Sequence, residues 1–95
     1  MDIFVQGNTY HIEKEPSEIP LHFYKRCQIV RMSITDYLRK QYAASVASGD
    51  SSKMHYVPEE MFQKMKRLSF YQANMHIHRV NYPADILEEI ASLNV

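Results

Sequence analysis

Residues 2–13 constrain the fold most, because Ile3 and Val5 alternate with polar neighbours, Gly7-Asn8 supplies a two-residue turn, and Tyr10 and Ile12 alternate again. The pattern predicts a β-hairpin with Gln6 opposite Thr9, Val5 opposite Tyr10 and Ile3 opposite Ile12. One face is then wholly apolar (Ile3, Val5, Tyr10, Ile12). The other carries Gln6, Thr9, His11 and Glu13, with Phe4 as its apolar exception. A slip by one residue would mix the two faces. A lone hairpin is marginal in water, so the apolar face must lie on something.

What it lies on is helical. The chain holds only two glycines and four prolines in 95 residues, which favours long elements over many short strands. Pro16 and Pro20 mark a break after the hairpin. Beyond it, Phe23, Cys27, Val30, Ile34 and Leu38 follow a helical stripe. Residues 27–33 are also rich in β-formers, so helix and strand compete there. We expect a helix over 21–32, a break near Ser33, and a second helix over 35–48 with Ser33 or Thr35 as a fresh N-cap. Gly49-Asp50-Ser51-Ser52 reads as a flexible loop. Pro58-Glu59-Glu60 opens a helix running to about His78, with Met61, Met65, Leu68, Tyr71 or Gln72, and Met75 as its buried stripe. Tyr82-Pro83 interrupts, and Ile86, Ile90 and Leu93 line a short closing helix. The expected fold is α+β: one domain over 1–95, an N-terminal antiparallel hairpin packed on a bundle of three or four helices.

The chain carries no recognisable catalytic, metal or cofactor signature, and reads as non-enzymatic. His76 and His78 are two apart and diverge on a helix, while His11, His22 and His55 have no ligand spacing. Cys27 lies on the apolar stripe, where a free thiol acts as a small hydrophobe; its rival role is a nucleophile activated by a histidine. Glycine-rich phosphate loops and the nucleophile elbow are absent. One cysteine permits no internal disulfide, which points to a reducing compartment, and the N-terminus lacks the pattern of a secretory signal. No stretch is long and apolar enough for a membrane span. The expectation is an intracellular protein without membrane attachment.

Two partner classes follow from the surface. Phe62, Phe70 and Ile77 lie off the predicted stripe of their helix, and Phe4 is on the outer hairpin face. These four are candidate interface residues for a protein partner or a second copy, in a homo-oligomer. Formal charge is zero overall, yet residues 21–40 and 61–80 are basic while 1–20 and 81–95 are acidic. Lys25, Arg26, Arg31, Lys64, Lys66 and Arg67 are therefore candidate nucleic-acid contacts, the less favoured reading, because acidic and basic segments can neutralise one another across the fold.

Three stretches resemble small uncharacterised proteins of large eukaryotic DNA viruses. They are the hairpin running through Asn8–Pro16; Phe23-Tyr24-Lys25-Arg26 with Ile29-Val30; and Arg67–Met75 with Tyr82-Pro83 and the Ile86–Leu93 helix. The resemblance covers about half the chain and implies a viral protein acting in the infected host cell, cytoplasm or nucleus, or in the particle. It brings no active site.

Overall fold

The computed structural model describes residues 1–49 and 56–94. Strands β1 (Asp2–Val5) and β2 (Asn8–His11) form the antiparallel hairpin. Helix α1 spans Pro20–Ser48, α2 Glu59–Ile77 and α3 Ala84–Ala91, and a single 3-10 turn, Ser92–Asn94, follows α3. The α+β arrangement of a hairpin on a helical layer is as expected, with three helices among the described residues. Asp50-Ser51-Ser52 of the expected loop and His55 lie outside the described residues.

The hairpin turns one residue earlier than the sequence suggested. Ile3 pairs with Tyr10, Phe4 with Thr9 and Val5 with Asn8. The turn is therefore Gln6-Gly7, with φ of 48° and 80° at its two central residues, as a type I′ turn requires. Glycine sits at the second central position without strain, whereas Gln6 bears the cost of a left-handed backbone. Partners shift by two residues, so side-chain parity is unchanged. Ile3, Tyr10 and Ile12 are buried on one face and Phe4 is exposed on the other. The alternation set the faces; the turn set the register. Gln6→Asn, which tolerates positive φ better, is expected to stabilise the fold by about 0.5 kcal/mol in urea denaturation, because Asn-Gly is the favoured type I′ pair.

Helix α1 is continuous through Ser33, and residues 27–33 are helix, not strand. The hydroxyl of Thr35 donates to the Arg31 carbonyl at 2.9 Å, one turn back in its own helix, instead of capping a new one. Pro20 stands at the first helical position, and Gly49 closes the helix in the left-handed conformation, its N–H donating to the Ser45 and Val46 carbonyls. At about 1.5 Å per residue this helix is about 43 Å long. It sets the long axis of a molecule measuring 45 × 30 × 18 Å.

The core lies where α1, α2 and the hairpin meet. Cys27, Val30, Ile34 and Leu38 from α1 pack with Met65 and Leu68 from α2, Ile3, Tyr10 and Ile12 from the hairpin, and Leu93 from the C-terminal turn. Pro58 caps α2, and Glu59 and Glu60 occupy its positive end, as expected. The buried side of α2 is rotated from the stripe read in the sequence: Phe62, Met65, Leu68, Ser69 and Ala73 are buried, while Met61 and Met75 are half-buried. The surplus of apolar residues on α2 is thus absorbed inside the chain. Phe62 packs its ring against Tyr10 at 5.4 Å.

Candidate interaction surface

Two features stand out once the core is accounted for. One is a charge cluster buried at the N-terminal end of α1, and the other is an apolar stripe on the outer side of that helix.

The cluster grows from three residues spaced by four: His22 and Arg26 stand one turn apart on α1, and Glu18 reaches them from the connection just before the helix. Arg26 grips the Glu18 carboxylate with two bonds, Nε to Oε2 at 2.6 Å and Nη2 to Oε1 at 2.8 Å. Nδ1 of His22 bonds Oε2 of the same carboxylate, and the Glu15 N–H donates to Oε1. Arg26 Nη2 also donates to the Glu13 carbonyl at 2.9 Å, tying the end of the hairpin to α1. The guanidinium lies 3.9 Å from the centre of the Phe70 ring. Side chains of Glu18 and Arg26 are 4% and 2% exposed. Burial alone would push the Glu18 carboxyl up. The hydrogen bonds from Arg26, His22 and the Glu15 amide, with the guanidinium charge, outweigh it and hold the group down at about 2. Arg26 Nε and Nη2 and the Glu15 amide all reach Glu18 or backbone, so the arrangement acts as a clamp joining the hairpin, the Pro-rich connection, α1 and α2.

The six basic candidates scatter accordingly. Arg26 is buried in the clamp, so it is no surface contact. Arg67 is paired with Glu89, Nη2 to Oε1 at 2.5 Å, and Lys64 donates to the Ser92 hydroxyl at 2.8 Å. Lys66 caps the Phe62 ring at 4.7 Å. Lys66 and Arg67 also share a cleft with Glu13 and Glu15. Lys25 and Arg31 line a different groove, between α1 and the α2–α3 layer. The six candidates therefore do not line one common groove.

Cys27 is buried, 4% exposed, and burial pushes its thiol above the ordinary value against smaller pulls from the N-terminal and Arg26 charges. Such a thiol is a core hydrophobe. The rings of His22 and His78 stack at 6.1 Å, and among the described residues no three His, Cys, Asp or Glu side chains converge at a spacing that could hold a metal ion. No described helix is long and apolar enough to cross a membrane.

The stripe comes from helical repetition on the side of α1 away from the core. Leu21, Tyr24, Gln28 and Met32 recur every three or four residues, and Tyr42 and Val46 continue the line after Thr35 and Arg39. Leu21 is 60% exposed, Tyr24 55% and Met32 66%. Helix α1 is thus apolar on two sides, and only one faces the core. Phe4 is 66% exposed, and its carbonyl is reached by Arg31 Nη1 at 3.5 Å. Of the four interface candidates, Phe4 alone is exposed. Phe62 is consumed in the core, Phe70 lies under Arg26, and Ile77 is half-buried near the end of α2.

On the other flank of the stripe lies an open groove of about 600 Å³, with Ile29, Met32, Ile90 and Leu93 as its apolar lining. Gln72 also lines it, and its side-chain oxygen is buried without a hydrogen-bond partner. Sequence reasoning missed both stripe and groove. The 3/4 spacing of Leu21, Tyr24 and Met32 was the available signal, masked by the stronger inner stripe on the same helix. Compared with protein-family models, curated proteins and solved structures, the chain matches none.

Proposed function

We propose that this chain is a non-enzymatic protein–protein interaction module, a subunit of a larger assembly, whose contact surface is the outer side of α1 with Phe4 at its edge. The observation that carries this reading is the exposure of Leu21, Tyr24 and Met32 along a helix whose opposite side is already anchored in the core. Scattered apolar residues on a surface need no explanation, but large ones recurring along one side of a helix, here interrupted by Gln28, Thr35 and Arg39, point to a place where a partner excludes water. Aromatic residues and methionine are the types that interfaces enrich. The likeness of three stretches to small proteins of large DNA viruses supports a viral assembly as the setting.

Methionine oxidation tests the reading directly. With dilute peroxide, Met32 in the isolated chain at low concentration is expected to oxidise readily, while the buried Met65 resists. In the lysate of cells that produce the protein, Met32 is expected to be protected at least several-fold. Equal oxidation of Met32 in both settings would count against a covered α1 surface.

A further inference from the structure

We infer that the stripe on α1 is covered by a second copy of this chain, laid antiparallel along the same helix so that Lys25 of each copy meets Asp36 of the other. The inference rests on the interaction-module reading and names its partner.

The charges decide the direction. Lys25 and Asp36 are eleven residues apart, about three helical turns, so they stand on one side of α1 about 16 Å from each other. Both line the groove beside Met32, and neither has an ion-pair or hydrogen-bond partner among the described residues. A parallel copy would set lysine beside lysine and aspartate beside aspartate. An antiparallel copy reverses the order and forms the Lys25–Asp36 pair twice about the twofold axis, which is the self-complementarity a symmetric dimer needs. Arg31 lies close to that axis and lines the same groove, so the two copies bring like charges together there, and the two Lys25–Asp36 pairs must outweigh that repulsion; its Nη1 also reaches the Phe4 carbonyl at 3.5 Å.

The same register sets Met32 of one copy over Ile29 of the other, at the apolar groove. The unpartnered Gln72 oxygen lines that groove, so an occupant that brings a donor completes it. The area is also sufficient. Leu21, Tyr24, Met32 and Tyr42, each exposed by 55–66%, together with the polar residues between them, present on the order of 700 Å². One side of a standard interface buries about 800 Å².

Sedimentation equilibrium of the full chain tests this with Lys25→Glu, Asp36→Lys and the double variant, each checked for helix content by circular dichroism. The wild type is expected to be a dimer whose affinity falls with added salt. Each single reversal changes both symmetric pairs and is expected to weaken the dimer about tenfold or more, and the double variant to return within about threefold of wild type. A dimer indifferent to the single reversals, or not restored by the double, overturns the antiparallel pairing. A wild-type chain that stays monomeric overturns the second copy as partner. If Met32 is nevertheless protected in the lysate, the interaction-module reading stands and only self-pairing falls.

Discussion

Arg26→Ala is expected to destabilise the fold by about 3–5 kcal/mol, the usual cost of removing one partner from a buried ion pair. The substitution leaves the Glu18 carboxylate 4% exposed with its two strongest donors gone. It also frees the Glu13 carbonyl and removes the cation from the face of Phe70, so three elements lose a common tie. Urea denaturation at neutral pH measures the effect, and a loss under 1 kcal/mol would show that the clamp holds little together. The pH profile of the wild type carries the same signature. Glu18 has a folded value of about 2 against an ordinary 4.5, so its contribution is present above 4.5 and is lost as pH falls toward 2. In Glu18→Gln that acid-side decline should flatten, starting from a lower stability at neutral pH.

The second large effect belongs to the core. Leu68 on α2 is fully buried among side chains of the cluster that α1 and the hairpin share. Leu68→Ala should cost about 2–5 kcal/mol through lost burial and an unfilled cavity. For a domain of this size that lowers the melting temperature by roughly 10–30 °C. Met32→Ala supplies the contrast. Met32 is 66% exposed, so its truncation should change the stability of the isolated chain by no more than about 0.5 kcal/mol. Comparable losses in the two variants would mean that the outer side of α1 is packed within the chain after all.

Both effects bear on how much of the molecule its residues announce. The alternation of Ile3, Val5, Tyr10 and Ile12 fixes which hairpin face is buried whichever turn is used, because a two-residue shift of partners preserves parity. Register escaped the same reasoning, since Gly7 can serve as the first or the second residue of a two-residue turn. Ser33, Thr35 and Asp36 imitate a helix start, and only tertiary packing of Val30, Ile34 and Leu38 into one core decides that the helix runs through them. The Glu18, His22, Arg26 spacing was visible in principle. Flanking prolines drew attention to a break there, and basic residues in a basic segment suggested solvent or an anionic partner. Burial of a cation cannot be inferred from its own sequence neighbourhood; it depends on Phe70 arriving from α2 and Glu13 from the hairpin. The interface stripe escaped for a related reason: a helix apolar on two sides looks in sequence like a helix with one broad apolar side.

Native mass spectrometry of the full chain, prepared gently at low salt without a metal-affinity tag, tests the central claim most directly because it weighs whatever covers α1. The account predicts a defined protein complex for the wild type and release of the bare 11.2 kDa chain by Met32→Asp, with helix content unchanged. A wild-type chain that flies as the bare 11.2 kDa species at every concentration, or that carries nucleic acid in place of protein, would contradict it.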